Sequence, residues 1–445
     1  MTASTDWAAR VLDEVDAAAP AAVARLAELV RVPSLGGTDA ECDIQAMLAT
    51  ELGDAGFDVD HWQLPLAELL SKPDFPGVEV DRREAWGLVG RLPGRLHGHL
   101  PGDLQGDLQG DLQGDTDAPS LLLNAHVDVV PPGDLRAWSN PDPFSGSVIA
   151  GKLHGRGACD MKAGLVAAVA AAAAVRRAGA PLRGDLLVAC VPGEEDGGLG
   201  TYATLQRGWR ADACVIPEPT SLHLVTANAG ALTFRLTVPG RATHASRRSE
   251  GVSAVEKLVP LLAALSRLET ARNADVDPLM RRWPIAYPLS IGRVEAGDWA
   301  SSVPDRLVAE GRLGVALDEP VADARRALED VVAEVCAADP WLTEHPVGVQ
   351  WWGGQYASGR LLATSDLAAR MGRAHSRAGG GTQETWGAPY GSDLRLLAGA
   401  GVPTLHYGPG DALLAHAADE RVPVAELHTA TRALALLALD VCGLA

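Results

Sequence analysis

Seven histidine or acidic side chains fall at or near the ends of short apolar runs in this chain: His126, Asp128, Asp160, Glu194, Glu195, Glu218 and His416. Imidazole nitrogens and carboxylate oxygens are ligands that zinc accepts while keeping room for water, and manganese or cobalt can take its place. A carboxyl group beside such a site can carry a proton to or from water. Brought to one sheet edge, these residues would form a two-metal hydrolase site.

Several of them also have a plainer explanation. From Leu121 to Asp128 an apolar run ends in His-x-Asp, which puts both polar side chains on one side of the strand end. The histidine can ligate a metal while the carboxylate orients its other ring nitrogen. A lone His-x-Asp is more often a locally hydrogen-bonded strand end, and it is the residues downstream that favour a ligand. Asp160 lies in the glycine-punctuated turn 155–164, ahead of an alanine-rich stretch. It suits a helix N-cap or, with two free oxygens, a bridge between cations about 3.5 to 4 Å apart.

Glu194, Glu195 and Asp196 follow the apolar run 185–191. Three adjacent acids repel one another unless a cation or proton intervenes; in a solvated loop they carry no chemistry. Two adjacent glutamates can divide the work, one on a metal and one holding a proton. Glu218 stands between Pro217 and Pro219, which restrict its backbone, and reads as a terminal carboxylate ligand. His416 supplies a second imidazole, with His406 on a strand and His428 on a helix as weaker candidates.

Such scattered residues need a sheet to collect them. Apolar runs at 86–89, 120–124, 185–191 and 213–216 read as strands, and helical spacing appears at 20–30, 41–56, 162–177 and 200–207. Pro33 closes the first helix. The alternation predicts an α/β fold, a mostly parallel sheet with helices on both faces. From about residue 229 the texture changes: a strand at 232–238, a helix at 252–268, strands at 287–294 and 305–313 and a helix at 321–337 suit a small α+β sandwich. After Trp352 come a helix at 360–375, a strand at 402–407 and a final helix at 424–441. The expected organisation is a catalytic domain, 1–228 and 354–445, with a second domain, 229–353, inserted into it. Residues 102–115 repeat Gly-Asp-Leu-Gln three times and read as an exposed insertion without a catalytic role.

A chain of 445 residues exceeds the roughly 250 to 300 at which one core stops growing, which favours two domains. Its net charge of −19 argues against nucleic acid or an anionic membrane as partner, since both call for clustered Lys and Arg. Six widely spaced cysteines without a Cys-x-x-Cys pair read as reduced thiols of a cytoplasmic protein. The N-terminus lacks the basic start and apolar centre of a secretory signal. The longest apolar stretch, 164–175, is too short to span a bilayer.

As a set, His126-x-Asp128, the Gly-Arg-Gly-x-x-Asp-Met-Lys-x-Gly run from Gly155 to Gly164, Gly193-Glu194-Glu195, Glu218-Pro219-Thr220 and Tyr407-Gly408-Pro409-Gly410 with His416 resemble metallopeptidase family twenty of the MH clan. That group includes acetylornithine deacetylase, succinyl-diaminopimelate desuccinylase, aminoacylase and the glutamate carboxypeptidases, and the likeness covers nearly the whole chain. The resemblance implies one metal on His126 and Glu218, another on Glu195 and His416, and Asp160 bridging them. It implies Glu194 as general base and acid and Asp128 as the group orienting His126. It also implies two divalent ions, zinc first with cobalt or manganese as substitutes, and an inserted lid that mediates a homodimer. The lid histidine of the family is matched by His244, which would help stabilise the oxyanion, often from the neighbouring subunit; alone, it reads as a surface histidine beside Arg247 and Arg248.

Two departures concern substrate binding. The family's asparagine before Val-x-Pro is replaced by serine in Ser301-Ser302-Val303-Pro304, and Arg312 follows Pro304 at a shorter spacing. Arg312, Ser301 and Asp393 stand as candidate substrate contacts, a guanidinium fork being suited to a carboxylate. The expected reaction is hydrolysis of a linear amide, removing an acyl group from an N-acyl amino acid or related small molecule. Two rivals remain: a dipeptidase or carboxypeptidase using the same atoms, and a binding paralogue that keeps the fold without turnover.

Overall fold

The strand Leu121–His126 is buried at every residue because it lies inside a nine-stranded sheet. The computed structural model describes residues 6–94 and 118–445; the Gly-Asp-Leu-Gln repeat lies outside them. Leu121–His126 pairs in parallel with Leu186–Val191 on one side and Ala213–Ile216 on the other, and Ala213–Ile216 pairs in parallel with Thr404–His406. Strands covered on both faces are continuous apolar runs, as these are. The register sets His126 opposite Val191 and His406 opposite Ile216, so four parallel strands end along one edge. Antiparallel strands widen the sheet at either side, among them Trp86–Leu92 beside Leu186–Val191 and Leu224–Asn228 beside Thr404–His406.

Helices cover both faces. Ala163–Ala178, Trp7–Val30 and Val424–Cys442 pack against one another, the small side chains of Ala163–Ala178 permitting close approach, and Gly179 ends that helix with a left-handed φ of 69°. By length and composition the helical stretch 158–178 could cross a membrane, but 83% of its apolar window is buried inside the fold, which makes it a core helix. On the opposite face Asn124 donates to Thr201 of the helix Leu199–Gln206 at 3.0 Å.

Two helices differ from their sequence patterns. The first begins at Trp7 rather than residue 20 and runs through Pro20; Asp6 caps it by accepting from Ala9 N, and Val11 and Val15 bury one face. The helix expected at 360–375 spans Leu367–Arg377. Gly359–Arg360 instead forms a strand beside Leu224–Asn228, and Ser365 Oγ accepts from Leu367 N at 3.2 Å in the turn ahead of the helix.

Between Gly230 and Tyr356 the chain builds a second, antiparallel sheet in the order Leu289–Ala296, Arg306–Val315, Gly230–Pro239, Gly348–Tyr356. Helices Ala254–Arg272 and Val321–Ala338 close over it around Leu232, Phe234, Leu236, Leu261 and Leu328. A third, small sheet of Ser147–Ile149, Lys152–His154 and Arg421–Pro423 ties the turn before Asp160 to the segment after His416.

Candidate metal centre

The carboxyl ends of parallel strands are where open α/β sheets bind their ligands, and there the acids and histidines meet. His126 closes its strand with 1% exposure. Its Nδ1 lies 2.9 Å from the backbone carbonyl of Asp128 and 3.7 Å from that residue's carboxylate. Asp128 therefore holds the ring chiefly through its main chain. Its carboxylate accepts from Glu194 N and Glu195 N, both at 3.2 Å. His126 Nε2 faces Asp160 Oδ1 at 3.1 Å and Glu218 Oε1 at 3.9 Å.

Asp160 lies in an irregular turn before the helix, joined to Met161 by a cis peptide bond. Its side chain turns to the histidines rather than capping the helix: one oxygen faces His126, and the other faces His416 Nε2 at 3.5 Å. His416 Nε2 also meets Glu195 Oε2 at 3.0 Å. The donor atoms of His126, Glu194 and Glu218, and those of His126, Asp160 and Glu195, each lie within 4.8 Å of one another.

The electrostatics follow from crowding. Burial pushes the Glu194 carboxyl well above the ordinary carboxylate range, with the charges of Asp393 and Glu218 adding to the effect. Burial and then Asp160 raise Glu218 and Glu195 in the same way. His416, hydrogen-bonded to Asp160 and Glu195, is raised to about 11. His126 is raised by Asp160, Glu218 and Asp128 against the opposing effect of burial. Four carboxylates against two imidazoles is a donor set that calls for cations, and the buried Oε1 of Glu195 has no hydrogen-bond partner among the described residues. These residues fit a metal centre.

Asp196, the third acid of the triplet, points elsewhere. It forms a buried ion pair with Arg82 at 2.9 Å and accepts from Glu79 N and Val80 N, while Arg82 also pairs with Glu41. The weaker histidines stand apart from the cluster: His406 pairs with Ser392 Oγ and His428 with Asp16. His244 is exposed, and its Nδ1 lies 2.7 Å from Ser246 Oγ. Arg312 is bound to Glu79 at 3.0 Å. Ser301 accepts from Ala245 N through its carbonyl. Asp393 is buried and takes the Thr201 hydroxyl hydrogen bond at 2.6 Å.

Sequence reasoning passed over Glu420. This fully buried carboxylate accepts from Cys159 N at 2.8 Å and Asp160 N at 3.0 Å and pairs with Arg156 at 2.5 Å. Arg156 in turn donates to the His416 carbonyl at 3.1 Å. One buried pair thus braces both Asp160 and His416. The only local signal is an acid four residues past His416, which is too common to single out.

A mostly parallel sheet that gathers imidazoles and carboxylates at its strand ends defines a metal-dependent hydrolase. A model described as peptidase family M20/M25/M40 matches residues 122–440. The chain belongs to that family. It is 31% identical over 430 residues to a succinyl-diaminopimelate desuccinylase of Stenotrophomonas maltophilia, covering 90% of this chain and 94% of the relative. It is 29% identical over 348 residues to the N-formyl-4-amino-5-aminomethyl-2-methylpyrimidine deformylase of Halalkalibacterium halodurans, covering 73% and 80% of the two chains. Among solved structures, the yeast di-peptidase Dug1p from Saccharomyces cerevisiae superposes with a TM-score of 0.72 over 98% of both chains at 14% identity. Human carnosine dipeptidase 1 gives 0.71 over 98% of this chain and 99% of its own, at 16% identity. At such identities the structural likeness establishes the fold alone.

Proposed function

We propose that this hydrolase removes an acyl group from an N-acyl amino acid or a related small amide, with Glu194 carrying the proton. The observation behind this reading is the placement of Glu194: buried, with its carboxylate within 4.8 Å of the donor atoms of His126 and Glu218, where a carboxyl can pass a proton to and from water beside the proposed metal ligands. Two divalent ions, zinc first, are proposed to sit on His126 with Glu218 and on Glu195 with His416, Asp160 reaching both. When bound, they supply Lewis-acid polarisation of the amide carbonyl and lower the pKa of water. Asp128 fixes Glu194 and Glu195 through their amides, and Glu194 takes a proton from the attacking water and delivers it to the leaving amine.

Relatives at about 30% identity include a desuccinylase and a deformylase, which supports deacylation. A dipeptidase using the same atoms is the second reading, supported by the fold shared with the dipeptidases above. Arg312, once released from Glu79, is proposed to grip a substrate carboxylate, with Ser301 and Asp393 as further contacts.

The second unit, expected at 229–353 and carried on to Tyr356 by its last strand, Gly348–Tyr356, is proposed as a lid and dimerisation domain inserted into the catalytic domain. Val255, Val259 and Leu262 are exposed on one face of its helix Ala254–Arg272, and Leu289–Ala296 ends its sheet; both features suit a partner subunit. His244 is proposed to reach the partner's site, and the enzyme to work in the cytoplasm on small molecules.

The test is hydrolysis of N-acetyl, N-succinyl and N-formyl amino acids and of dipeptides by zinc-, manganese- or cobalt-loaded protein. Glu194→Gln is expected to lower turnover by roughly 100- to 10,000-fold with metal content unchanged; full turnover in that variant refutes the assignment. Preference for dipeptides over acyl amino acids selects the second reading.

A further inference from the structure

The peptide bond between Glu194 and Glu195 joins the proposed proton carrier to a proposed metal ligand. The orientation of that plane bears on the backbone angles of both residues and so on the direction of both carboxylates. Its N–H is held by Asp128, whose Oδ2 accepts from Glu195 N at 3.2 Å. Its carbonyl is held from the opposite direction by the hydroxyl of Tyr356, which donates to Glu194 O at 2.5 Å.

Tyr356 is a residue of the second sheet, not of the catalytic one. It ends the strand Gly348–Tyr356 and stands opposite Ala231 at the start of the neighbouring strand. Its ring is 3% exposed and lies under the Arg395 guanidinium, 4.0 Å from the ring centroid. The same arginine donates to the carbonyl of Gly197 in the acidic turn at 2.7 Å. Two glycines shape the slot: a Cβ on Gly391 would come within 2.5 Å of Tyr356 Cβ, and one on Gly354 within 2.6 Å of its ring. The ring is thus fixed from several sides, and the hydroxyl is aimed at one acceptor.

We propose that Tyr356 is a positioning residue, through which the second sheet sets the orientation of the Glu194–Glu195 peptide and so the aim of the Glu194 carboxylate. The inference rests on the reading of Glu194 as proton carrier. Asp128, from the catalytic sheet, and Tyr356, from the other, clamp one peptide between them. A shift of the second sheet at its Tyr356 end reaches the reacting carboxylate through a single hydrogen bond.

Tyr356→Phe removes that bond and keeps the ring in its slot. Hydrogen exchange followed by mass spectrometry needs neither substrate nor metal, and the turn 193–198 is expected to exchange roughly tenfold faster in the variant, while the strand Leu186–Val191 keeps its protection. With a substrate from the panel above, kcat is expected to fall by roughly 10- to 100-fold, with KM within about twofold of its original value and metal content unchanged. Unchanged exchange in the turn overturns the proposal, as does full kcat on a substrate whose turnover Glu194→Gln abolishes. If Glu194→Gln itself keeps full turnover, the reading of the site fails separately, and the exchange result still decides whether Tyr356 holds the turn.

Discussion

A carboxylate withdrawn completely from water must find its donors inside the protein, and Glu420 finds three: the backbone amides of Cys159 and Asp160 and the guanidinium of Arg156. Removing one partner of such a pair leaves an uncompensated charge, at a cost of about 3 to 5 kcal/mol. Glu420→Ala is therefore expected to lower the urea midpoint markedly and to reduce bound metal, because Asp160 and His416 lose their common brace. Adding Arg156→Met should restore much of the stability without restoring the metal; a double variant that recovers both would show that the pair does not position the ligands. This contrast also explains what could be read at the level of single residues. His126, Glu194 and Glu218 follow apolar runs, so their positions follow from the strands before them. Glu420 and Tyr356 act on atoms 260 and 162 residues away in the chain, a separation that no local pattern encodes.

At the scale of elements, the site depends on how closely the helix Ala163–Ala178 approaches the end of the strand Ala213–Ile216. Gly164 makes that approach possible: a Cβ there would stand 1.8 Å from the carbonyl oxygen of Pro217, the residue before Glu218. Gly164→Ala must push helix and loop apart, a form of overpacking that costs about 1 to 3 kcal/mol. The expected result is a lower melting temperature together with weaker metal binding, measured by titration with zinc; weakened stability with unchanged zinc affinity would show that Glu218 moves independently of the helix. The central strands and the alanine-rich helix were legible because burial on all sides leaves long apolar runs. Asp58–Gln63 was not, since none of its residues is buried, and Leu224–Asn228 was not, since Thr226 and Asn228 are polar yet buried.

At the scale of the whole molecule, His244 lies between the strand Gly230–Pro239 and the helix Ala254–Arg272, away from the sheet whose strand ends carry the metal cluster, and it is exposed in the single chain. If it serves the partner's site, two inactive variants should rescue each other. In a mixed dimer of Glu194→Gln and His244→Ala chains, one site carries both lesions and the other neither, so random pairing is expected to yield about a quarter of full turnover. No recovery on mixing refutes action across the dimer. The second antiparallel sheet begins at Gly230, close to the change of texture near residue 229, and the pairing of its strands brings a further consequence. The strands Gly230–Pro239 and Gly348–Tyr356 lie side by side, with Ala231 opposite Tyr356, so the chain departs from the catalytic sheet and returns to it across a gap of roughly 5 Å. A module with adjoining ends can be replaced by another, or by a short turn, while the backbone path through the metal-binding strands stays unbroken. New specificities can thus arise in this architecture by exchange of a cassette, provided the incoming module again offers a hydroxyl to the Glu194 carbonyl.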